Sequence, residues 1–360
     1  MNTIRPFLDK EMPKISVIIP SYNHANFINE AIQSVLSQSI SDLELIIVDD
    51  GSSDDSLNVL KTINDSRVRI ITQQNQGAHA AINRGITEST GQYLAILNSD
   101  DVYHSLRLEK LLNLLETKQE VGLVSSHIKI IDQNGTEKGI KKGYETLSPW
   151  TLSAPRKSFR AGQELKAVLL TENYLATTSN FIFERKIFEQ IGAFLPLRYT
   201  HDWDFALRVA EVKQIALLPE VLLNYRVHGS NTIRENKAAM IFEICWCLAV
   251  HLPRHTSAAW FLAQPLDIRI EQLLHSIYVF GLEQVLNVML LLQLYENHQL
   301  ALQLLEINNP SRLKILEFIQ SQLKSQSILT SQQNNHQQVI PSPASSVKAW
   351  VGRLISNLKI

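Results

Sequence analysis

Residues 94–101, LAILNSDD, constrain this chain more than any other stretch. An apolar run over 93–97 is bounded by Gly91 on one side and by Asn98, Ser99, Asp100 and Asp101 on the other. That is the pattern of a strand buried on both faces at the centre of a parallel sheet. The carboxyl ends of such strands open onto the crevice where open α/β sheets bind ligands. Two adjacent carboxylates placed there repel each other and resist desolvation unless a cation or donor hydrogens meet them. A hard divalent metal carrying a phosphorylated substrate satisfies both demands. The structural alternative is an N-cap, with Asp100 or Asp101 opening the helix expected from about Ser105.

The preceding chain repeats this unit. KISVIIP (14–20) is β-branched and apolar, a buried first strand that Pro20 stops before the turn SYNHANF. Phe27, Ile28, Ala31, Ile32, Val35 and Leu36 then recur at helical spacing. A strand over 43–48 ends in Asp49, Asp50 and Gly51, and a helix runs from about 55 to 63. A third strand over 68–72 closes in QQNQG, followed by a helix over 78–88 and the acidic strand. The order β-α-β-α-β-α-β predicts a Rossmann-like, mostly parallel sheet with helices on both faces. Ser21, Tyr22 and Asn23, then Asp49 and Asp50, then Asn75, then 98–101 would converge on one rim. No G-x-G-x-x-G follows the first strand and no G-x-x-x-x-G-K-[ST] occurs, which argues against a dinucleotide dehydrogenase and a P-loop enzyme. A base and ribose could meet the early clusters directly, carboxylate to imide N–H or to hydroxyl.

Composition narrows the partners. With 34 Lys and Arg against 35 Asp and Glu, nothing global points to nucleic acid. At 360 residues and 45% hydrophobic, the chain can bury a large core. Cys245 and Cys247 lie in an apolar helical stretch without further ligands nearby, so buried free thiols in a reducing compartment are expected. The amino end shows no apolar h-region, so no secretory signal is expected. The oily stretch 277–294 is interrupted by Glu283, Gln284 and Asn287, which favours a buried helix over a membrane span.

VIIPSYNHANFINEAIQSVLSQS, LIIVDDGSSDDS, NQGAHAAINRGI and GQYLAILNSDD, four blocks in order across 14–103, resemble the nucleotide-sugar half of family 2 glycosyltransferases with their A-type fold. The resemblance implies a place for each residue. The main chain around Pro20, with Tyr22, would border the base, and Asp50 would accept from a uracil ring with Asp49 in support. Asn75 would lie near base or ribose, and Asp100 would hold the metal, Mn²⁺ or Mg²⁺, that bridges the diphosphate. One departure stands out: the family's Asp-x-Asp begins here with Asn98. An amide oxygen coordinates weakly or accepts from ribose but carries no charge, so either metal affinity falls or the position serves the ribose.

Beyond the acidic strand come a helix over 105–116, strands over 121–126 and 128–131 with a turn at DQNG, and a stretch without period over 135–165. A long loop of that kind is functional or disordered, and in the family it shapes the acceptor site. A short strand at 180–183 and a helix start at 186–190 follow. In THDWDFALRVA (200–210), Asp202 opens or precedes a helix, which reads locally as an N-cap. The resemblance makes it the general base, because the family places an acidic pair here; in this chain the pair is His201–Asp202. His201 then orients Asp202 or contacts acceptor, Trp203 joins the substrate-binding set, and Asp204 faces away or buttresses the helix. Tyr225, Arg226 and His228 alternate with Val227 as residues of one strand. A lone histidine is usually structural, but the family's Y-R-x-H-x-x-S/N segment implies a metal or diphosphate contact for His228. Arg226 is ion-paired or steadies the leaving phosphate.

The expected organisation is a lead-in over 1–13 and a catalytic domain over 14–235, split into a nucleotide-sugar half (14–103) and an acceptor half (104–235). After it come a helical region over 236–324, a Ser/Gln/Asn linker over 325–346 and an amphipathic helix over 347–360. That last helix, basic and bearing Trp350, is either an interfacial membrane anchor or a helix that docks on the body or a partner. The resemblance implies an inverting glycosyltransferase that moves a sugar from a nucleotide-diphosphate donor, a UDP-sugar, to a glycan or lipid-linked acceptor. The implied setting is surface polysaccharide or glycoconjugate assembly on the cytoplasmic, inner face of the cell membrane. The alternative is a non-catalytic sugar-nucleotide or glycan-binding subunit of the same fold, supported by Asn98 and His201 alone. A nucleotidyltransferase would want a Gly-rich basic loop after strand one, and SYNHANF has neither glycine nor lysine.

Overall fold

The computed structural model describes residues 13–142, 169, 173–229, 235–255 and 298–333. Most of the lead-in, 143–165 of the stretch without period, the oily stretch 277–294 and the terminal helix 347–360 lie outside the described residues. The first unit matches the expected alternation: β1 (Ile15–Ser21), α1 (Ile28–Leu36), β2 (Leu43–Asp49), α2 (Ser56–Lys61), β3 (Val68–Thr72), α3 (Ala78–Glu88) and β4 (Tyr93–Ile96). A short β5 (Val102–Tyr103), α4 (Arg107–Thr117), β6 (Val121–Asp132) and β7 (Glu137–Lys141) follow. The second half adds a 3-10 turn (Thr178–Asn180), β8 (Ile182–Glu184), α5 (Arg185–Ile191), α6 (His201–Val212) and β9 (Gln214–Val227). Three further helices are described, α7 (Lys237–His255), α8 (His298–Gln303) and α9 (Pro310–Gln333).

All nine strands join one sheet, ordered β3-β2-β1-β4-β8-β6-β9-β5, with β7 on β6. The β3-β2-β1-β4 part is parallel throughout, whereas β8 runs antiparallel to both β4 and β6. β6 and β9 pair in parallel, with register shifts at Ser126/His127 and His127/Ile128. What the sequence divides into two short strands is therefore one strand of twelve residues, irregular at His127. Pro219 lies inside β9, in the gap of that same irregularity, where its missing N–H breaks no ladder bond.

Strand alternation splits the core into two layers. Ile18, Leu94 and Ile96 face α3, α6 and α7, whereas Val17, Ile19, Ala95 and Leu97 face α1 and α4. Gly85 lets α3 lie close on β1, since a Cβ there would stand 2.4 Å from Ile18 Cγ2. The first layer continues unbroken through Phe242, Trp246 and Ile319, so the packing does not divide at residue 235. Cys245 and Cys247 are buried in it and form no disulfide, in keeping with the expected buried thiols. α9 extends to Gln333, so the first part of the expected linker is helical; Ser and Gln tolerate a helix, and the next proline is Pro341. Among the described residues no helix is long and apolar enough to cross a membrane.

Candidate active site

The carboxyl ends of β1 to β4 meet at one rim, and their loops are tied to one another. Asn23 adopts a left-handed conformation (φ 55°), which asparagine tolerates better than most residues. Its Oδ1 accepts from the backbone N–H of Ser53 (2.8 Å), and its own N–H donates to Ser52 Oγ (3.0 Å). His24 N–H reaches Ser56 Oγ (3.2 Å) and Ala25 N–H reaches Asp54 Oδ2 (2.9 Å). SYNHANF is thus held rigidly against the loop after β2. Asp50 holds the other neighbour. Its Oδ1 accepts from Gln73 Nε2 (2.8 Å) and Gln76 N (2.9 Å), and its Oδ2 from Gly77 N (2.7 Å) at the start of α3. One acceptor site remains on Oδ2. Asp49 uses Oδ1 for Ser52 N (3.0 Å), while its Oδ2 and the Oγ of Ser21, its ladder partner, are buried without a partner among the described residues. Pro20 is buried in β1; Tyr22 and Asn75 are exposed on the rim.

At the end of β4 the two adjacent aspartates have separate surroundings. Asp100 Oδ2 accepts from His228 Nε2 at 2.9 Å. Burial alone would raise its carboxyl, but that hydrogen bond and the charges of His24 and His228 outweigh burial and hold it below the ordinary range. Asp101 accepts from Ser179 Oγ (2.5 Å) and Arg226 N (2.9 Å), and burial, then the Asp100 charge, push it well up. One carboxylate is thereby kept ionised and the other is spent on structure. His24, Asp100 and His228 each offer one ligand atom, all within 4.8 Å of one another. His24 Nδ1 is 2.7 Å from Ser99 Oγ, and burial lowers its pKa, the direction that suits a ligand. An ionised carboxylate between two imidazoles fits a divalent cation with positions left open for phosphate oxygens. Asn98, by contrast, donates to Thr177 Oγ1 (3.0 Å) and accepts from Thr178 Oγ1 (3.0 Å), tying β4 to the 3-10 turn.

Arg226 is the ion-paired arginine. It is 2% exposed, with donors on the carbonyls of Asp100 (2.9 Å) and Asp132 (3.2 Å) and on Glu30 (2.6 Å). A guanidinium committed in this way braces the end of β4. Trp203 is buried in the core and its indole N–H donates to the Leu169 carbonyl (2.7 Å).

Asp202 lies in the first turn of α6. Its Oδ1 accepts from Trp203 N (2.7 Å) and its Oδ2 from Asn173 Nδ2 (2.9 Å). Burial pushes its carboxyl up, against the His201 charge and these hydrogen bonds. The N-cap residue itself is Thr200, whose side chain makes no cap. His201 faces back along the chain, with Nδ1 3.1 Å from the Leu197 carbonyl. Asp204 buttresses the helix as expected, paired with Arg208 (2.8 Å) and with His251 Nε2 (2.9 Å) on α7. Burial, then the carboxylates of Asp101, Asp100 and Asp202, all push the Tyr225 phenol up. His24, Asn173 and Tyr225 escaped the sequence reading as site residues. His24 lies inside a quoted block and was legible; Asn173 has no local signal.

Residues 16–192 match the model of glycosyl transferase family 2. An uncharacterized glycosyltransferase of Nostoc sp. is 34% identical over 226 residues, 61% of this chain and 66% of that protein. One from Haemophilus influenzae is 30% identical over 229 residues, 61% of this chain and 67% of that protein. The chondroitin synthase of Escherichia coli is 30% identical over 232 residues, 62% of this chain and 30% of that protein. The chain thus spans 66% of the length of the first of these relatives.

Proposed function

The chain belongs to glycosyl transferase family 2, and on that premise we propose that it transfers a sugar from a UDP-sugar to an acceptor hydroxyl with inversion. The observation that carries this is the pair of carboxylates on one rim: Asp100, held ionised beside His228, and Asp202, buried and pushed up at the head of α6.

Asp202 takes the proton of the acceptor hydroxyl, whose oxygen bonds to the anomeric carbon from the face opposite the diphosphate. The bond from that carbon to the diphosphate oxygen breaks, and the electron pair leaves with UDP. Asn173, on the other oxygen, keeps the carboxylate of Asp202 aimed. Asp100 and His228 would hold the divalent ion, Mn²⁺ or Mg²⁺, which when bound would supply Lewis-acid charge to the leaving diphosphate. The free acceptor site of Asp50 and the orphaned Asp49–Ser21 pair suit an imide ring, with Tyr22 and Asn75 beside it. The acceptor is a glycan or lipid-linked saccharide of surface polysaccharide assembly, in keeping with the chondroitin synthase relative. Attachment to the inner membrane face through 347–360 rests on sequence alone.

Calorimetric titration of UDP with Mn²⁺, and again with chelator, on wild type and Asp100→Ala tests this. Metal-dependent binding that Asp100→Ala weakens is expected. UDP binding that ignores both metal and substitution removes the metal role, and a chain that binds UDP-sugars and acceptor but never turns over is the binding subunit instead.

A further inference from the structure

The expected Asp-x-Asp metal site is short of a ligand in this chain, and the fold shows where another comes from. Residue 98 is an amide whose oxygen and nitrogen are both engaged by Thr178 and Thr177. Asp101 is committed to Ser179 and to the backbone of Arg226. Only Asp100 remains as an anionic donor at the end of β4, and with His228 it gives the protein two donors, leaving room for a third. His24 completes it. Its ligand atom lies with those of Asp100 and His228 inside 4.8 Å. Bonds of about 2.1 Å put cis donors about 3 Å apart and trans donors about 4.2 Å apart around an octahedral ion, so small side-chain movements close the triad.

Two further features mark His24 as built for this. Ser99 Oγ, 2.7 Å from Nδ1, orients the ring as hydroxyl and carbonyl partners do for metal-binding histidines. The backbone around it is fixed by the bonds of Asn23, His24 and Ala25 to the loop after β2, so the imidazole is presented from a rigid support. The ring also packs edge-on against His228, with centroids 5.4 Å apart.

We propose that His24 is a direct metal ligand that replaces the missing carboxylate at position 98, giving a two-imidazole, one-carboxylate site selective for Mn²⁺ over Mg²⁺. Imidazole suits transition ions, while Mg²⁺ prefers oxygen donors and sheds water reluctantly. The first loop of the fold thereby sets which ion the enzyme uses. This assignment rests on the metal-dependent reading given above, and its test is arranged to separate the two.

The full chain is titrated with Mn²⁺ alone, followed by electron paramagnetic resonance of the free ion, and then with Mg²⁺ as competitor. Wild type should bind Mn²⁺ at least tenfold more tightly than Mg²⁺. His24→Ala should lose at least tenfold in Mn²⁺ affinity and much less in Mg²⁺ affinity. His24→Asp should bind both ions with the ratio moved toward Mg²⁺, an exchange that a purely structural histidine would not produce. If His24→Ala unfolds, His24→Asp decides alone, because an unchanged Mn²⁺/Mg²⁺ ratio in it overturns the assignment. A folded His24→Ala that binds Mn²⁺ like wild type overturns it too, while leaving Asp100 and His228 as the metal's holders. A wild type that binds no Mn²⁺ removes the metal reading and this inference together.

Discussion

Asp202 is buried with a single side-chain donor, and burial pushes its carboxyl above the ordinary range. A carboxyl whose folded pKa is raised contributes its stability below the unfolded value and loses it as pH rises through the folded one, so ionised Asp202 destabilises the fold at neutral pH. Asp202→Asn, which keeps an acceptor for the Trp203 N–H, should therefore leave the melting temperature at neutral pH unchanged or higher. Transfer should fall by about 10²–10⁴-fold with UDP affinity unchanged. In wild type, turnover should fall as pH drops through the raised Asp202 pKa. A variant that loses melting temperature and turnover together would place Asp202 among ordinary helix-start residues. At this scale the sequence shows which residue types reach the rim but not where side chains point. Asp202 and His228 were legible inside their blocks. Trp203 and Arg226 were not, because the direction of an indole or a guanidinium is chosen by partners distant in sequence, here Leu169, Glu30 and Asp132.

The helix that carries Asp202 is held in place from outside the region matched by the family model. Glu243 on α7 accepts from the backbone N–H groups of Arg198 (3.0 Å), Tyr199 (2.6 Å) and Thr200 (3.3 Å), just before α6. It supplies from another helix the anionic cap that Thr200 does not. Glu243→Ala leaves buried donors unmet and should cost at least about 2 kcal/mol of stability in urea titrations. Because the strand rim is untouched, the kinetic loss should appear in kcat, with UDP affinity retained. A second tie runs through His251, fully buried, with Asp204 and Glu211 facing it and Arg208 sharing Asp204. Burial alone would lower its pKa, but the hydrogen bonds and charges of Asp204 and Glu211 raise it. A raised histidine stabilises fully below its unfolded value near 6.5 and loses that contribution as pH rises through the folded value. Wild-type stability should therefore decline more steeply than that of His251→Gln as pH rises above the unfolded value of about 6.5, read from melting curves across pH. Glu243 and His251 carried no sequence signal, since both look like the polar side of a helix until α7 is packed.

Across the whole molecule, one core layer runs from Ile18 on β1 to Ile319 on α9. Ile241, Phe242, Trp246 and Leu248 on α7 lie in it, and Trp246 also donates its indole N–H to the Ala301 carbonyl at 2.8 Å. Removing four such side chains at about 1.5–3 kcal/mol each takes away about 6–12 kcal/mol, close to the entire stability of a typical domain. A chain truncated after residue 235 should therefore be protease-sensitive and lack a cooperative melt. A truncated chain that melts like full length would make the tail a true separate unit. The first half of the fold was legible because parallel βαβ units are local: each strand, turn and helix is written in consecutive residues with its own period. The rim of aspartates follows from that, while the A-type resemblance rests on the four sequence blocks taken together. The second half was not, because its sheet is built by strands that meet from far apart, with β8 inserted antiparallel between β4 and β6 and β9 continued through Pro219. By itself the sequence determined the βαβ alternation of the first half and the acidic residues at the ends of its strands. Only the tertiary structure decided that His24 stands beside Asp100 and His228, that Asn98 ties β4 to the 3-10 turn, and that α7 caps the helix of Asp202, because each depends on contacts between residues at least 43 positions apart.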